Sequence, residues 1–211
     1  MEITKLFLIV YGAAFIGVIP PGLVNMSVAK TCLHQGKHNG LLVAVGASIT
    51  VVFQAFLAVL LAQYIFSHPF VRNMLFRTGL VIFGILAVYF FIKAKKEQVK
   101  KVKVPDHQGL KSLGKGMAIA LLNVLPIPFF CALSGTFKIS SGDITDAPLE
   151  TIVFILAAAA GTFTALYLYV IFFNKIDKKA RSFTKYSNYF MAALMVVLII
   201  LTLIRMYYVS S

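Results

Sequence analysis

The sequence predicts an all-α integral membrane protein, built from six transmembrane helices as two inverted three-helix repeats with broken helices 1 and 4. Three observations lead there. The chain is 60% apolar and 13% charged, with a mean hydropathy of +0.89. Apolar runs of bilayer-crossing length recur six times along 211 residues. Two of those runs are interrupted by prolines, at matching places in the two halves. A soluble domain carries about 25% charged residues, so this chain lacks the polar surface to cover a water-facing globule, which excludes an ordinary soluble enzyme. Alternating strand periodicity appears nowhere, and only helices or closed barrels satisfy the backbone inside lipid.

A spanning helix needs about 20 mostly apolar residues. The first run extends from Leu6 to about Val28 and is interrupted at Pro20-Pro21-Gly22. Lys5 and the run behind it resemble a signal peptide. The stretch nonetheless continues past the prolines, and no small-x-small cleavage site precedes a soluble sequence. The second run is Leu41 to Phe66, the third about Thr78 to Ile92, the fourth Gly116 to Phe137, the fifth Ile152 to Phe173 and the sixth about Tyr189 to Ile204. The expected organisation is therefore a first three-helix repeat over 1–92, a Lys-rich cytoplasmic linker over 93–115 and a second repeat over 116–211.

The formal charge of +13, from 20 Lys and Arg against 7 acids, would suit a nucleic-acid binder. The cations instead fall between apolar runs, where membrane proteins keep them, and no nucleic-acid partner is expected. With the N-terminus outside, the cytoplasmic connectors hold Lys30, Lys37, eight lysines from Lys93 to Lys115, and Lys175, Lys178, Lys179, Arg181 and Lys185. The other side keeps Lys5, Arg72, Arg77, Lys138 and Arg205. This three-to-one asymmetry predicts both termini outside. Tyr64, Tyr186, Tyr189, Tyr207 and Tyr208 lie near run ends as interface anchors. Cys32 and Cys131, each in or near an apolar run, read as small buried side chains rather than a disulfide framework.

The two interruptions carry the functional argument. Gly17-Val-Ile-Pro20-Pro21-Gly22-Leu-Val-Asn25 and Asn123-Val-Leu-Pro126-Ile-Pro128 place prolines and amides inside apolar runs. Proline removes a donor and clashes with the preceding turn, so each site should unwind its helix and free carbonyls that need partners. With three spans in the first half, the broken helices run in opposite directions, the sequence pointer to a transporter whose site lies at the midplane. Gly46-Ala-Ser48-Ile-Thr50 and Gly161-Thr-Phe-Thr164, in the second and fifth runs, suit either close helix packing or ligand contact.

Pro21-Gly22-Leu-Val, Gln35-Gly36-Lys-His-Asn-Gly40-Leu41-Leu42 and Gly46 resemble the Pro-Gly-Pro, Gln-Gly-x-x-x-Gly-Leu-Leu and following glycine of the LysE/RhtB amino-acid exporter family. Gly116 through Asn123 and Phe129-Phe130 resemble that family's Asn-Pro-Lys signature with its paired phenylalanines. Leu23 stands where the family has its second proline, Val124 and Leu125 replace the Pro-Lys pair, and the prolines move to 126 and 128. The resemblance implies an exporter in the bacterial inner (plasma) membrane, multi-pass, with a small amino acid as cargo and the lipid bilayer as its other partner. A homo-oligomer stays open, and nothing asks for a cofactor or a resident metal.

A zwitterion offers a carboxylate to half-helix N-termini and an ammonium to freed carbonyls. The expected substrate-binding residues are Pro20, Pro21, Gly22, Asn25, Gly46, Gln54, Asn123, Pro126, Pro128 and Gly161, with Ser27 and Ser48 as further contacts. For each amide the alternative is a bond to carbonyls loosened by the nearby prolines. All seven acids lie outside or at the margins of the runs, so a dibasic cargo would find no counter-ion and neutral amino acids are expected instead. Lys30, at the inner end of helix one, is either a gating cation or a positive-inside anchor. An alternative cargo is a heavy-metal cation, with Cys32, His34 and His38 close together. A membrane-embedded enzyme would have to use Ser27, Ser48, Ser134 or Cys131, none of which has an intramembrane His or acid as base.

Overall fold

The structure is a computed structural model that describes residues 2–20, 22–95, 109–137 and 148–178, with single positions and short stretches between 189 and 204. The helices are α1 (Ile3–Val18), α2 (Leu23–Ser67), α3 (Pro69–Lys95), α4 (Leu110–Leu122), α5 (Pro126–Thr136) and α6 (Pro148–Lys178), and no strand occurs among the described residues. The linker at 96–108, Pro21 and six positions of the sixth run lie outside the described residues.

Both proline sites break their helices. α1 stops at Val18 and helix resumes at Leu23, while α4 stops at Leu122 and α5 starts at Pro126, the pair bent by 69°. By length and apolar composition, Leu23–Ile65 and Pro148–Phe172 can cross a membrane, and α4 with α5 makes a third span if the bent pair counts as one.

One boundary differs from expectation. Residues 29–40, read as the connector between runs one and two, are helical on both sides of Gly36, whose φ of 85° and ψ of 163° turn the chain in one residue. Only glycine enters this region without strain. At about 1.5 Å per residue an unbroken 43-residue helix would be about twice as long as the hydrocarbon core is thick, and the turn at Gly36 divides it into two arms, 23–35 and 37–67. The connector's polar residues concealed the helix because nothing but that glycine interrupts it. Run three also begins earlier than its apolar pattern indicated, with Pro69 in the first turn, where its missing N–H costs nothing.

The chain forms two compact units, Met1–Ser67 with Val102–Lys178, and His68–Lys101 with Lys179–Ser211. In the second, Ala94 and Met195 are buried and the rings of Phe91 and Tyr189 meet edge to face with centroids 6.0 Å apart.

The first unit has two apolar clusters. One gathers Leu6, Val10 and Ala14 with Val51, Ala55 and Val59, Phe130, and Phe154, Ala157 and Ala158. The other gathers Val24, Val28 and Cys32 with Val43, Ala44 and Ala47, Ala120, and Leu166, Tyr169 and Val170. Following each element between them gives its direction. α1 with the first arm of α2 runs from the first cluster to the second, as does α6. The second arm of α2 runs back, and so does α4 with α5. The two broken segments thus run in opposite directions within this unit.

Candidate functional site

At the first break the carbonyls left over from α1 are taken by side chains. Asn25, 5% exposed, donates its amide to the carbonyl oxygens of Val18 and Pro20, the latter at 3.1 Å. The carbonyl between them, that of Ile19, accepts the Tyr169 hydroxyl of α6 at 2.6 Å. The last α1 turn closes on itself, with the Ile19 N–H shared between the Phe15 and Ile16 oxygens. An unpaired carbonyl inside lipid costs several kcal/mol, which explains why three consecutive ones are all satisfied.

The second break is served from α2. Gln54, 5% exposed, donates Nε2 to the carbonyl oxygens of Ala120 at 3.1 Å and Asn123 at 2.9 Å. Thr50, one turn earlier, reaches the Met117 oxygen at 3.3 Å.

The packing around the two breaks matches. A Cβ on Gly46 would overlap the Leu113 carbonyl oxygen and crowd the Met117 nitrogen of α4. A Cβ on Gly161 would overlap the Tyr11 carbonyl oxygen and crowd the Phe15 nitrogen of α1. Each long helix therefore lays its backbone on positions i and i+4 of the half-helix before a break. Eight residues after each glycine, the same helix supplies the side chain that bonds the break's carbonyls, Gln54 in α2 and Tyr169 in α6. Gly116 completes the α2–α4 approach, since a Cβ there would overlap the Val43 oxygen.

What remains unbonded differs between the breaks. No main-chain acceptor for the N–H groups of Leu23 or Val24 is found among the described residues. At the start of α5, Pro126 and Pro128 carry no N–H, Ile127 donates to Val124 at 3.2 Å and Phe129 to Leu125 at 3.4 Å. The first break thus keeps the anion-attracting end of a helix, and the second does not. The freed carbonyls expected to receive an ammonium are occupied by Asn25, Gln54 and Tyr169. The bare acceptor beside them is Gln54 Oε1, buried and without a partner among the described residues, as is the Ser27 hydroxyl.

Of the residues singled out from sequence, Asn25 and Gln54 are buried at the breaks, and Gly46 and Gly161 are close-approach points. Pro20 and Asn123 contribute carbonyls. Gly22 is exposed and its oxygen accepts the Met26 N–H at 3.0 Å. Pro126 and Pro128 lie in the first turn of α5, and Pro21 is outside the described residues. Ser48 donates to its own helix at Ala44, 2.9 Å. Tyr169 was missed because it lies inside the fifth apolar run and its partner, the Ile19 carbonyl, is far away in the chain. The signal lay in its distance from Gly161, identical to that of Gln54 from Gly46. For the metal reading, Cys32 is buried with Sγ against Gly40, His34 and His38 are exposed, and no group of three His, Cys, Asp or Glu able to hold a metal is found among the described residues.

The family model of the LysE type translocators matches residues 15–205 of the chain, both breaks included. No curated protein and no solved structure matches it.

Proposed function

Because the chain belongs to the LysE type translocator family, whose members are membrane transporters, we propose that it exports small neutral amino acids or related metabolites from the cytoplasm through two inverted three-helix repeats. The observation that carries this reading is the matched pair of contacts, Gly46 with Gln54 on one broken segment and Gly161 with Tyr169 on the other, in segments of opposite direction. Related three-helix halves of inverted topology produce that match without further assumption.

The cargo lies between the breaks. Its carboxylate meets the N–H groups of Leu23 and Val24, where the helix dipole favours negative charge. Its ammonium meets Gln54 Oε1, a buried acceptor without a partner among the described residues. Pro20, Pro21, Gly22, Asn25, Asn123, Pro126 and Pro128 shape the breaks, and Gly46 and Gly161 serve as the points on which one repeat rocks against the other. With six spans both termini share one side, and the Lys/Arg asymmetry supports that side being the outside of a bacterial inner membrane. No carboxylate side chain approaches either break among the described residues, which favours neutral over dibasic cargo.

The test compares efflux from cells overexpressing and cells lacking the protein, across neutral amino acids, dibasic amino acids and divalent metals. Leucine or threonine should leave faster than lysine. Faster lysine efflux would overturn the cargo assignment, and metal efflux alone would replace it with the cation reading.

A further inference from the structure

Lys115 of α4 is half-buried and directs Nζ to the Thr31 hydroxyl of α2 at 2.9 Å. Thr31 is fully buried and passes its own proton to the Ser27 carbonyl at 2.7 Å. A cation this far into an apolar bundle normally faces a carboxylate. Among the described residues Glu2 pairs with Lys5 at 2.9 Å, and the contact found for Lys115 is the Thr31 hydroxyl.

One turn from Thr31 on the same helix face, Ser27 is 0% exposed and its hydroxyl has no partner among the described residues. One turn further stand Leu23 and Val24, whose N–H groups have no main-chain acceptor among the described residues. Lys115 of α4 and, along one arm of α2, Thr31, Ser27 and the first break therefore form a polar line, in which Thr31 accepts from Lys115 and the Lys115 charge meets no carboxylate among the described residues. Lys115 has three N–H donors and gives one to Thr31, and the other two have no partner among the described residues. Lys30 lies within this stretch of α2 and Lys37 just past the turn at Gly36, and both are cationic.

We infer that Lys115 is the residue that recognises the cargo's carboxylate at the inner end of the bundle and hands it, through Ser27, to the first break. This rests on the amino-acid reading above and adds the group that selects an acid over its amide, which keeps the ammonium and lacks the carboxylate. Lys115 is a binding residue and takes part in no bond-making step.

The test uses the full chain in proteoliposomes loaded with leucine, leucinamide, threonine and threoninamide, with initial counterflow rates counted by mass spectrometry. Lys115→Gln should raise KM for leucine and threonine by about tenfold or more, the effect of one charge-assisted hydrogen bond, while transport of the two amides stays at wild-type level. Lys115→Arg should restore most of the acid transport. Persisting amide transport shows that the variant is folded. Equal loss for acids and amides would make the Lys115–Thr31 contact a structural tie, and unchanged acid transport would remove Lys115 from recognition. Either result overturns the inference and leaves the exporter reading standing. A wild-type protein that moves none of the four compounds would overturn both.

Discussion

The Tyr169 hydroxyl donates to the carbonyl oxygen of Ile19 at 2.6 Å, joining residues 150 positions apart in the chain. Asn25 serves the carbonyls on either side of Ile19, and Tyr169 is the donor found for this one among the described residues. Tyr169→Phe removes a single oxygen and strands a buried acceptor. The expected loss is about 1–3 kcal/mol of stability, read as a lowered Tm in detergent, with membrane insertion retained. An unchanged Tm would mean that the break finds its partner elsewhere.

Gln54 permits a sharper comparison, because both of its bonds use the donor end of its amide. Gln54→Met keeps the volume and loses the bonds. Gln54→Glu keeps the shape but aims a carboxylate at two carbonyl oxygens in a buried site. The prediction is that Glu destabilises more than Met, the reverse of a ranking by polarity, and by at least about 1 kcal/mol, given the cost of an unpaired buried charge. Thermal unfolding of the purified variants checks the order. If Glu matched the wild type, the amide would be presenting its oxygen to the break.

How much of this was legible in the sequence depended on whether the chemistry is local. Pro20 and Pro126 announced the breaks because proline acts on its own helix. The tightness at Gly46 and Gly161 was legible only as small residues, since the atoms they approach come from α4 and α1, far away in the chain. The partners of Asn25 and Gln54 divide the same way. Asn25 bonds within seven residues and could be foreseen as an amide satisfying loosened carbonyls, whereas Gln54 reaches 69 residues to Asn123. The helix through 29–40 was hidden because composition averages over a window and Gly36 is one residue. The Lys115–Thr31 contact was hidden because Lys115 ends a lysine-rich stretch that reads as a solvated linker.

Glycine substitutions separate the matched contacts from ordinary packing. Gly46→Ala and Gly161→Ala each press a methyl group into a main-chain oxygen of the neighbouring half-helix, and backbone yields less readily than a side-chain tip. Each should cost about 1–3 kcal/mol, the range for overpacking a well-filled interior. Because both face the same positions of their half-helices, the two losses should be alike. A large effect at one site and none at the other, in unfolding measurements on the two variants, would break the equivalence between the halves.

Gly22→Leu probes the first break from the opposite side. Nothing lies within 4 Å of a Cβ at Gly22, so the substitution meets no packing and should leave yield, insertion and Tm near wild type. The added side chain stands beside the N–H groups of Leu23 and Val24, the proposed carboxylate site, for which no main-chain acceptor is found among the described residues. Transport should therefore fall at least about tenfold while the fold persists, equivalent to losing one good hydrogen bond to a charged group. Proteoliposome rates set against gel-filtration profiles of the same preparations decide the matter. A Gly22→Leu protein that transports at the wild-type rate would reduce the first break to a bend in the helix, and the binding role would have to move to the α4–α5 side.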